Sequence, residues 1–302
     1  MSKKKYRIMA FDGGGIRGVL SATILKRLEI ENKKLIKSTD LFAGTSTGSF
    51  IALGLAYGLP VKEILNLYSM INCRYIFSPK YNELFRPKYN NKHLKEVLMR
   101  VFPKNLKLKD LKKKVLIPSF EVISKDNGSW KPMFYTNFEE MGTDNEYVID
   151  VALYSSAAPV YFPSYKKHID GGIIANNPSL ASICVSKNVN GANKKLEDMR
   201  ILSIGTGFNH NNIKADTRKW GAIEWGLSQN PPYPLLSILF DGNMDADSYY
   251  SRELLRDNFL RVNPQISKSI DLDDCKEIPY LINIANSYDI KFVNDWINNK
   301  WF

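Results

Sequence analysis

The chain has 302 residues, is 44% hydrophobic and 24% charged, and carries a formal net charge of +11. That is room for one large α/β domain or two small ones, with an ordinary globular composition and no low-complexity segment. No apolar run is long enough to cross a bilayer, which excludes a helical membrane protein. The positive charge suits an anionic partner: a phospholipid surface, a phosphorylated substrate or nucleic acid. No helix-turn-helix, ribonucleoprotein or zinc pattern supports the last of these, so no nucleic-acid polymer is expected as a partner. The densest cationic run, Lys104 to Lys114, reads as a solvated surface. Cys73, Cys184 and Cys275 are scattered, without metal-ligand spacing, and read as buried thiols in a reducing compartment. The opening Met1-Ser2-Lys3-Lys4-Lys5 precedes only a short apolar strand, so no signal peptide is expected and the protein is read as cytoplasmic.

In chain order, Tyr6 to Phe11 is apolar and alternating and predicts a buried strand. It runs into Asp12-Gly13-Gly14-Gly15-Ile16-Arg17-Gly18, after which Val19 to Ile30 has helical spacing through Leu20, Ile24, Leu25 and Leu28. A glycine-rich turn between a strand and a helix N-terminus presents bare backbone N–H groups to an anion. The same residues satisfy G-x-G-x-x-G through Gly13, Gly15 and Gly18, so a dinucleotide site competes for them. Such a site wants an acidic residue at the end of the second strand. Asp40 precedes that strand, and its end carries Gly44-Thr45-Ser46 instead, so the ribose-binding half is missing.

Asp40 to Ala43 predicts the second strand and Phe50 to Tyr57 a following helix. Between them, Gly44-Thr45-Ser46-Thr47-Gly48 reads G-x-S-x-G in the strand, sharp turn, helix context of a nucleophile elbow. The turn lifts the Ser46 hydroxyl out of the sheet, the glycines let strand and helix pack close, and the helix N-terminus favours an oxyanion. Pro60 opens a helix over Val61 to Ile71. Asn72 to Asn91 is irregular and aromatic, either a lid over an apolar pocket or a loop pinned to the surface. Lys92 to Phe102 predicts a helix, and Val115 to Ile123 with Lys131 to Thr136 a hairpin about the turn Lys125-Asp126-Asn127-Gly128. Val148 to Ala158 is a small-residue helix stopped by Pro159. After Tyr161-Phe162-Pro163 and Lys167-His168-Ile169-Asp170-Gly171-Gly172, Asn176-Asn177-Pro178 opens a helix over Ser179 to Val189. Arg200 to Ile204 and Phe259 to Val262 predict strands; between them Leu235 to Leu255 predicts a long helix broken at Asp241-Gly242. Tyr280 to Ile297 is amphipathic and reads as a docked core helix. The alternation predicts one α/β domain with a mainly parallel central sheet.

A serine nucleophile needs a base, and histidine is the default. Only His93, His168 and His210 are present. His93 opens a lysine-rich helix, and His168 shares a strand face with Asp170. His210 follows Gly205-Thr206-Gly207 and would complete the Ser46…Asp170…His210 order of α/β-hydrolases.

The ordered set is Asp12 to Gly18, Gly44-Thr45-Ser46-Thr47-Gly48, Ser156-Ala157-Ala158-Pro159 with Tyr161-Phe162-Pro163, and Asp170-Gly171-Gly172 with Asn176-Asn177-Pro178. It resembles the patatin-like phospholipases, lipid acyl hydrolases that include calcium-independent phospholipases A2. The resemblance covers Tyr6 to about Gly207. It implies a three-layer α/β/α patatin-like fold over residues 1–302, with a motif-bearing core of about 6–207 and a segment 208–302 packed on it. It implies a Ser–Asp dyad, with Ser46 the nucleophile and Asp170 the base, and no histidine required. Gly13, Gly14 and Gly15 would supply oxyanion N–H groups, and Arg17 would orient the loop or meet the substrate phosphate. Gly18, Gly44, Gly48, Gly171 and Gly172 are the motif glycines, and neither metal nor cofactor is expected. An Asp at its ordinary pKa of about 3.9 is a poor base, so burial is expected to raise Asp170, with Tyr161-Phe162 supplying part of the desolvation. Asp12 is expected to cap the turn and helix. The implied substrate is a phospholipid membrane surface, with the protein peripheral on it. Bacterial patatin-like effectors switched by cyclic nucleotides leave room for a small-molecule or protein activator acting through 208–302, and for an oligomer. Storage proteins in the family supply a non-catalytic alternative, against which the intact motifs argue.

Overall fold

A mixed, mostly parallel sheet of seven strands organises the computed structural model, which describes residues 5–124, 126–209, 213–228 and 231–302. The strands are β1 (Tyr6–Phe11), β2 (Leu41–Gly44), β3 (Lys114–Glu121), β4 (Lys131–Thr136), β5 (His168–Asp170), β6 (Met199–Ile204) and β7 (Phe259–Val262). Their order is β4-β3-β2-β1-β6-β7, with β5 paired to β3. β1 is central and apolar on both faces, as a covered parallel strand must be. Met9 and Phe11 enter the larger core, Ile8 and Ala10 the smaller one.

The first stretch of helices is α1 (Gly18–Glu31), α2 (Leu35–Ser38), α3 (Thr47–Tyr57), α4 (Val61–Leu67), α5 (Met70–Ile76), α6 (Asn91–Met99) and α7 (Val148–Ser156). Then come α8 (Gly172–Ala175), α9 (Ser179–Lys187), α10 (Ala222–Leu227), α11 (Pro234–Leu255), α12 (Ile278–Ser287) and α13 (Lys291–Trp296). α1 to α7 with α12 and α13 cover one face of the sheet; α9 and the end of α11 cover the other through Ile183, Val185 and Leu255. The layers are α/β/α. The described residues after 208 belong to this body: β7 pairs in parallel with β6, α11 packs on α8 and α9, and α12 packs on α1.

One pairing decides where the site lies. β2 pairs with Lys114 to Leu116 of β3, and β5 runs antiparallel to Ser119–Glu121. β4 occupies the opposite edge over Leu116 to Glu121. A strand has two edges, so β2 and β5 share one, end to end, with Ile117 and Pro118 between them. The gap is filled closely: a Cβ on Gly171 would lie 2.2 Å from the Pro118 carbonyl oxygen.

Most predicted elements are present, with differences of physical origin. The helix expected over Val61 to Ile71 divides into α4 and α5, because Ser69 starts a new helix by accepting the Asn72 N–H at 3.3 Å. Ile71 then lies 80% exposed. The helix expected over Tyr280 to Ile297 also divides. Tyr288 turns extended, Arg27 takes the Ala285 and Tyr288 carbonyls at 2.6 and 2.7 Å, and the Asp289 carboxylate restarts α13 by accepting the Lys291 N–H. The break expected at Asp241-Gly242 does not occur; α11 is continuous because its packing on α8 and α9 outweighs one glycine. The hairpin is β3–β4, although Lys125 of its turn lies outside the described residues. Among the described residues no helix is long and apolar enough to cross a membrane.

The cysteines correct the expectation of three buried thiols. Cys73 and Cys275 form a disulfide across 202 positions, tying α5 to the segment before α12, and Cys184 is exposed. Thiol titration of the unfolded, unreduced protein is therefore expected to count one thiol, and three would overturn the pairing. The Cys73→Ser, Cys275→Ser double variant should lose about 2–5 kcal/mol in urea unfolding.

Candidate active site

Each turn of the site is set by what its residues permit. After β1, Gly15 takes φ +57°, a left-handed conformation that favours glycine, and any Cβ there would meet the Leu272 carbonyl oxygen at 2.4 Å. The Ile16 N–H donates to that same carbonyl at 2.9 Å, so the segment holding Leu272 braces the glycine turn. Gly18 starts α1 beside Thr47 and Tyr68. After β2, Ser46 sits at φ 51°, ψ −121°, a strained conformation for a residue with a side chain. Close approach of Gly44 to the Gly48 carbonyl, and of Gly48 to the Phe11 carbonyl, makes that turn sharp: a Cβ would lie 2.1 and 2.3 Å from those oxygens. The Ser46 N–H is held by Ser155 Oγ at 2.9 Å.

The shared edge of β3 brings β5 to the elbow. Ser46 Oγ donates to Asp170 Oδ2 at 2.6 Å, across 124 positions of sequence. Asp170 Oδ1 accepts the Gly172 N–H at 2.7 Å, and the Gly171 N–H anchors to the Ser155 carbonyl at 3.1 Å. Asp170 is 2% exposed. Burial pushes its carboxyl up to about 7, against the opposing pull of the hydrogen bonds from Ser46 and Gly172. A carboxyl ionising there holds a proton acceptor at neutral pH, against the serine hydroxyl. Tyr161 and Phe162, expected to supply part of the desolvation of Asp170, line an apolar pocket that opens at Ser46. Phe240 of α11 lines the cleft with Asp170, and its ring would lie 2.7 Å from a Cβ on Gly172.

The glycine turn supplies fewer donors than expected. The Gly13 N–H is committed to the Asn176 carbonyl at 2.9 Å. The N–H groups of Gly14 and Gly15 make no hydrogen bond to a described residue; Gly14 lines the cleft, and Gly15 lines the apolar pocket beside Ser46. Arg17 lines the same cleft as Ser46 and Asp170, half-buried, with its Nε 3.5 Å from the Gly14 carbonyl. The apolar pocket runs from Ser46 between Phe50, Leu67, Ile76, Leu94 and Phe162, and its predominantly apolar lining suits a hydrocarbon chain.

Asp12 does not cap a helix, contrary to expectation. It is fully buried in a bidentate ion pair with Arg261 of β7, one arm at 2.8 Å and the other shorter, and Arg261 also donates to Ser203 Oγ at 2.8 Å. Arg261 was not singled out from the sequence; its one signal is a lone cation in the apolar run Phe259-Leu260-Arg261-Val262. His93 bonds the Tyr75 carbonyl and stacks on Tyr75. His168 is buried against Tyr135 and Tyr154, and burial holds it below the ordinary histidine pKa. His210 lies outside the described residues. Among the described residues no cluster of His, Cys, Asp and Glu is placed to hold a metal.

Residues 9–182 match the family model described as "Patatin-like phospholipase". The chain is 35% identical to "Protein teg" of Priestia megaterium over 98% of this chain and 99% of that protein. It is 36% identical to the "Putative sporulation hydrolase CotR" of Bacillus subtilis, over 98% of each. It is 29% identical to a "cGAMP-activated phospholipase" of Pseudomonas aeruginosa over 93% of this chain and 83% of that protein.

Two stability outcomes follow from the site. With a folded pKa of about 7 against about 3.9 unfolded, Asp170 binds its proton more tightly when folded, so its contribution to stability is lost as pH rises through that interval. Asp170→Asn, which cannot ionise, should match wild type near pH 4 and exceed it at pH 8 by up to about 4 kcal/mol, read as a higher Tm. Arg261→Met removes the cation that offsets the burial of Asp12 and should lose about 3–5 kcal/mol in urea unfolding.

Proposed function

Because the chain belongs to the patatin-like phospholipase family of lipid hydrolases, we propose that it cleaves fatty-acyl esters of membrane glycerophospholipids by a Ser46–Asp170 dyad. The supporting observation is the 2.6 Å hydrogen bond from Ser46 Oγ to a buried Asp170 ionising near 7. Ser46 Oγ attacks the ester carbonyl while Asp170 takes its proton. Charge builds on the carbonyl oxygen at the N–H groups of Gly14 and Gly15, which bond to no described residue, with Gly13 holding the turn in place. The lysophospholipid oxygen leaves with the proton from Asp170, and an acyl-Ser46 ester remains, its chain in the apolar pocket. Asp170 then deprotonates a water that attacks this ester; the fatty acid departs and Ser46 regains its hydrogen. Arg17, in the cleft beside Ser46, meets the substrate phosphate. The whole chain acts as one domain, peripheral at the membrane.

A cyclic dinucleotide as activator is a second element of this reading, supported by the relative named for cGAMP activation that aligns over 93% of this chain. Fatty-acid release should then rise on adding cGAMP; indifference to it and to related cyclic dinucleotides would remove the activator.

Fatty-acid release from liposomes should fall at least about ten-thousandfold in Ser46→Ala and in Asp170→Ala. The acidic limb of kcat/KM should bend near pH 7, with activity lost as Asp170 is protonated below it. Full activity in Asp170→Ala with none in His210→Ala would transfer the base to His210.

A further inference from the structure

We infer that a collar of exposed apolar side chains around the entrance to the cleft is the surface that seats this protein on a lipid bilayer, with Phe85 and the outer face of α11 entering the interface. The choice of a bilayer as occupant rests on the hydrolase reading; the collar itself is a property of the fold.

The first turns of α11 have two apolar faces. Leu236 and Phe240 turn inward, lining a polar pocket that shares Arg17, Phe240 and Leu272 with the Ser46 cleft. Leu235, Ile238 and Leu239, at helical spacing, are exposed on the other side. An amphipathic helix needs one apolar face for its core, and the second is left exposed among the described residues. α10 packs against α11 and adds exposed Ile223 and Leu227. Across the same pocket, Tyr233 Oη donates to Glu83 at 3.1 Å, which sets the neighbouring Leu84 and Phe85 beside the start of α11. Phe85 is 85% exposed.

The 83–86 loop and the start of α11 therefore place large apolar side chains beside the pocket that adjoins the cleft, α10 adds others against α11, and exposed apolar groups gathered in this way mark an interaction surface. Exposed Lys80 and Arg86 stand in the same loop as Phe85, and the chain as a whole carries +11. Aromatic and aliphatic groups interleaved with cations match the boundary between anionic headgroups and acyl chains. A second copy seated on the collar would seal the entrance to Ser46, whereas a bilayer supplies the ester to it.

The test uses the full chain and vesicles of phosphatidylcholine with about 30% phosphatidylglycerol, the anionic component that a cationic rim requires. In a Ser46→Ala background, so that binding is read without hydrolysis, Phe85→Asp and Ile238→Asp, Leu239→Asp should each weaken vesicle partition at least about tenfold. Val189→Asp makes the same charge change at an exposed position after α9 and should bind like the parent. With Ser46 intact, collar variants should lose vesicle hydrolysis and keep hydrolysis of a soluble short-chain ester, which also shows that they fold. Parent-like partition by the collar variants overturns the inference, as does an equal loss in Val189→Asp. Conversion of an oligomer to a monomer by the collar variants, with vesicle binding unchanged, would make the collar a self-association surface and also overturn it. If the Ser46 protein cleaves neither vesicles nor the soluble ester while collar-dependent binding persists, the docking surface stands and the hydrolase reading fails.

Discussion

The edge of β3 that carries β2 and β5 end to end is the constraint on which the site depends. β2 arrives parallel and stops at Gly44, and β5 arrives antiparallel and stops at Asp170, so two chain ends converge on the Ile117–Pro118 gap. Neither strand alone brings Ser46 to Asp170; their common partner does. Ser119 locks the arrangement by donating toward the Tyr154 and Ile169 carbonyls, each at 3.0 Å, which fastens α7 and β5 to β3. Ser155 of α7 then holds the backbone at Ser46 and next to Asp170, taking the Ser46 N–H on its hydroxyl and the Gly171 N–H on its carbonyl. The geometry of Ser46 and Asp170 is thus fixed by backbone pairing rather than by the two side chains themselves.

That fixity sustains features which would otherwise relax. Ser46 holds a positive φ, Asp170 is a carboxyl kept from water, and the Gly14 and Gly15 N–H groups bond to no described residue. Each is unfavourable for the folded state, and each is what an acyl-transfer site uses. The rest of the fold offsets them. The buried Asp12–Arg261 pair joins the base of the glycine turn to β7, and the Leu272 carbonyl braces the turn from outside. Three positions beyond Leu272, Cys275 is bonded to Cys73 on the wall of the apolar pocket. The region after residue 208, where the family motifs end, therefore supplies structural support to the glycine turn.

The local grammar of the chain was largely legible. Alternating or continuous apolar runs marked β1, β2, β6 and β7, and the glycine spacings marked both turns, because period and backbone freedom are properties of neighbouring residues. Where prediction went astray, a distant partner intervened. Arg27 divided α12 from α13 by taking carbonyls that a continuous helix would have used internally. Asp12 had the look of a cap until Arg261, far along the chain, claimed both its oxygens. Gly13 counted as an oxyanion donor until Asn176 took its N–H.

By itself, then, the sequence determined the α/β alternation, the elbow that exposes Ser46 and the candidate pairing of that serine with Asp170. Only the tertiary structure decided that Asp170 ionises near 7, which N–H group of the glycine turn is committed to Asn176, which cysteines join, and which residues of α11 are exposed. The division has one cause. Turn geometry and helical or strand period depend on residues a few positions apart, whereas desolvation, ion pairing and exposure depend on which segments the sheet brings together.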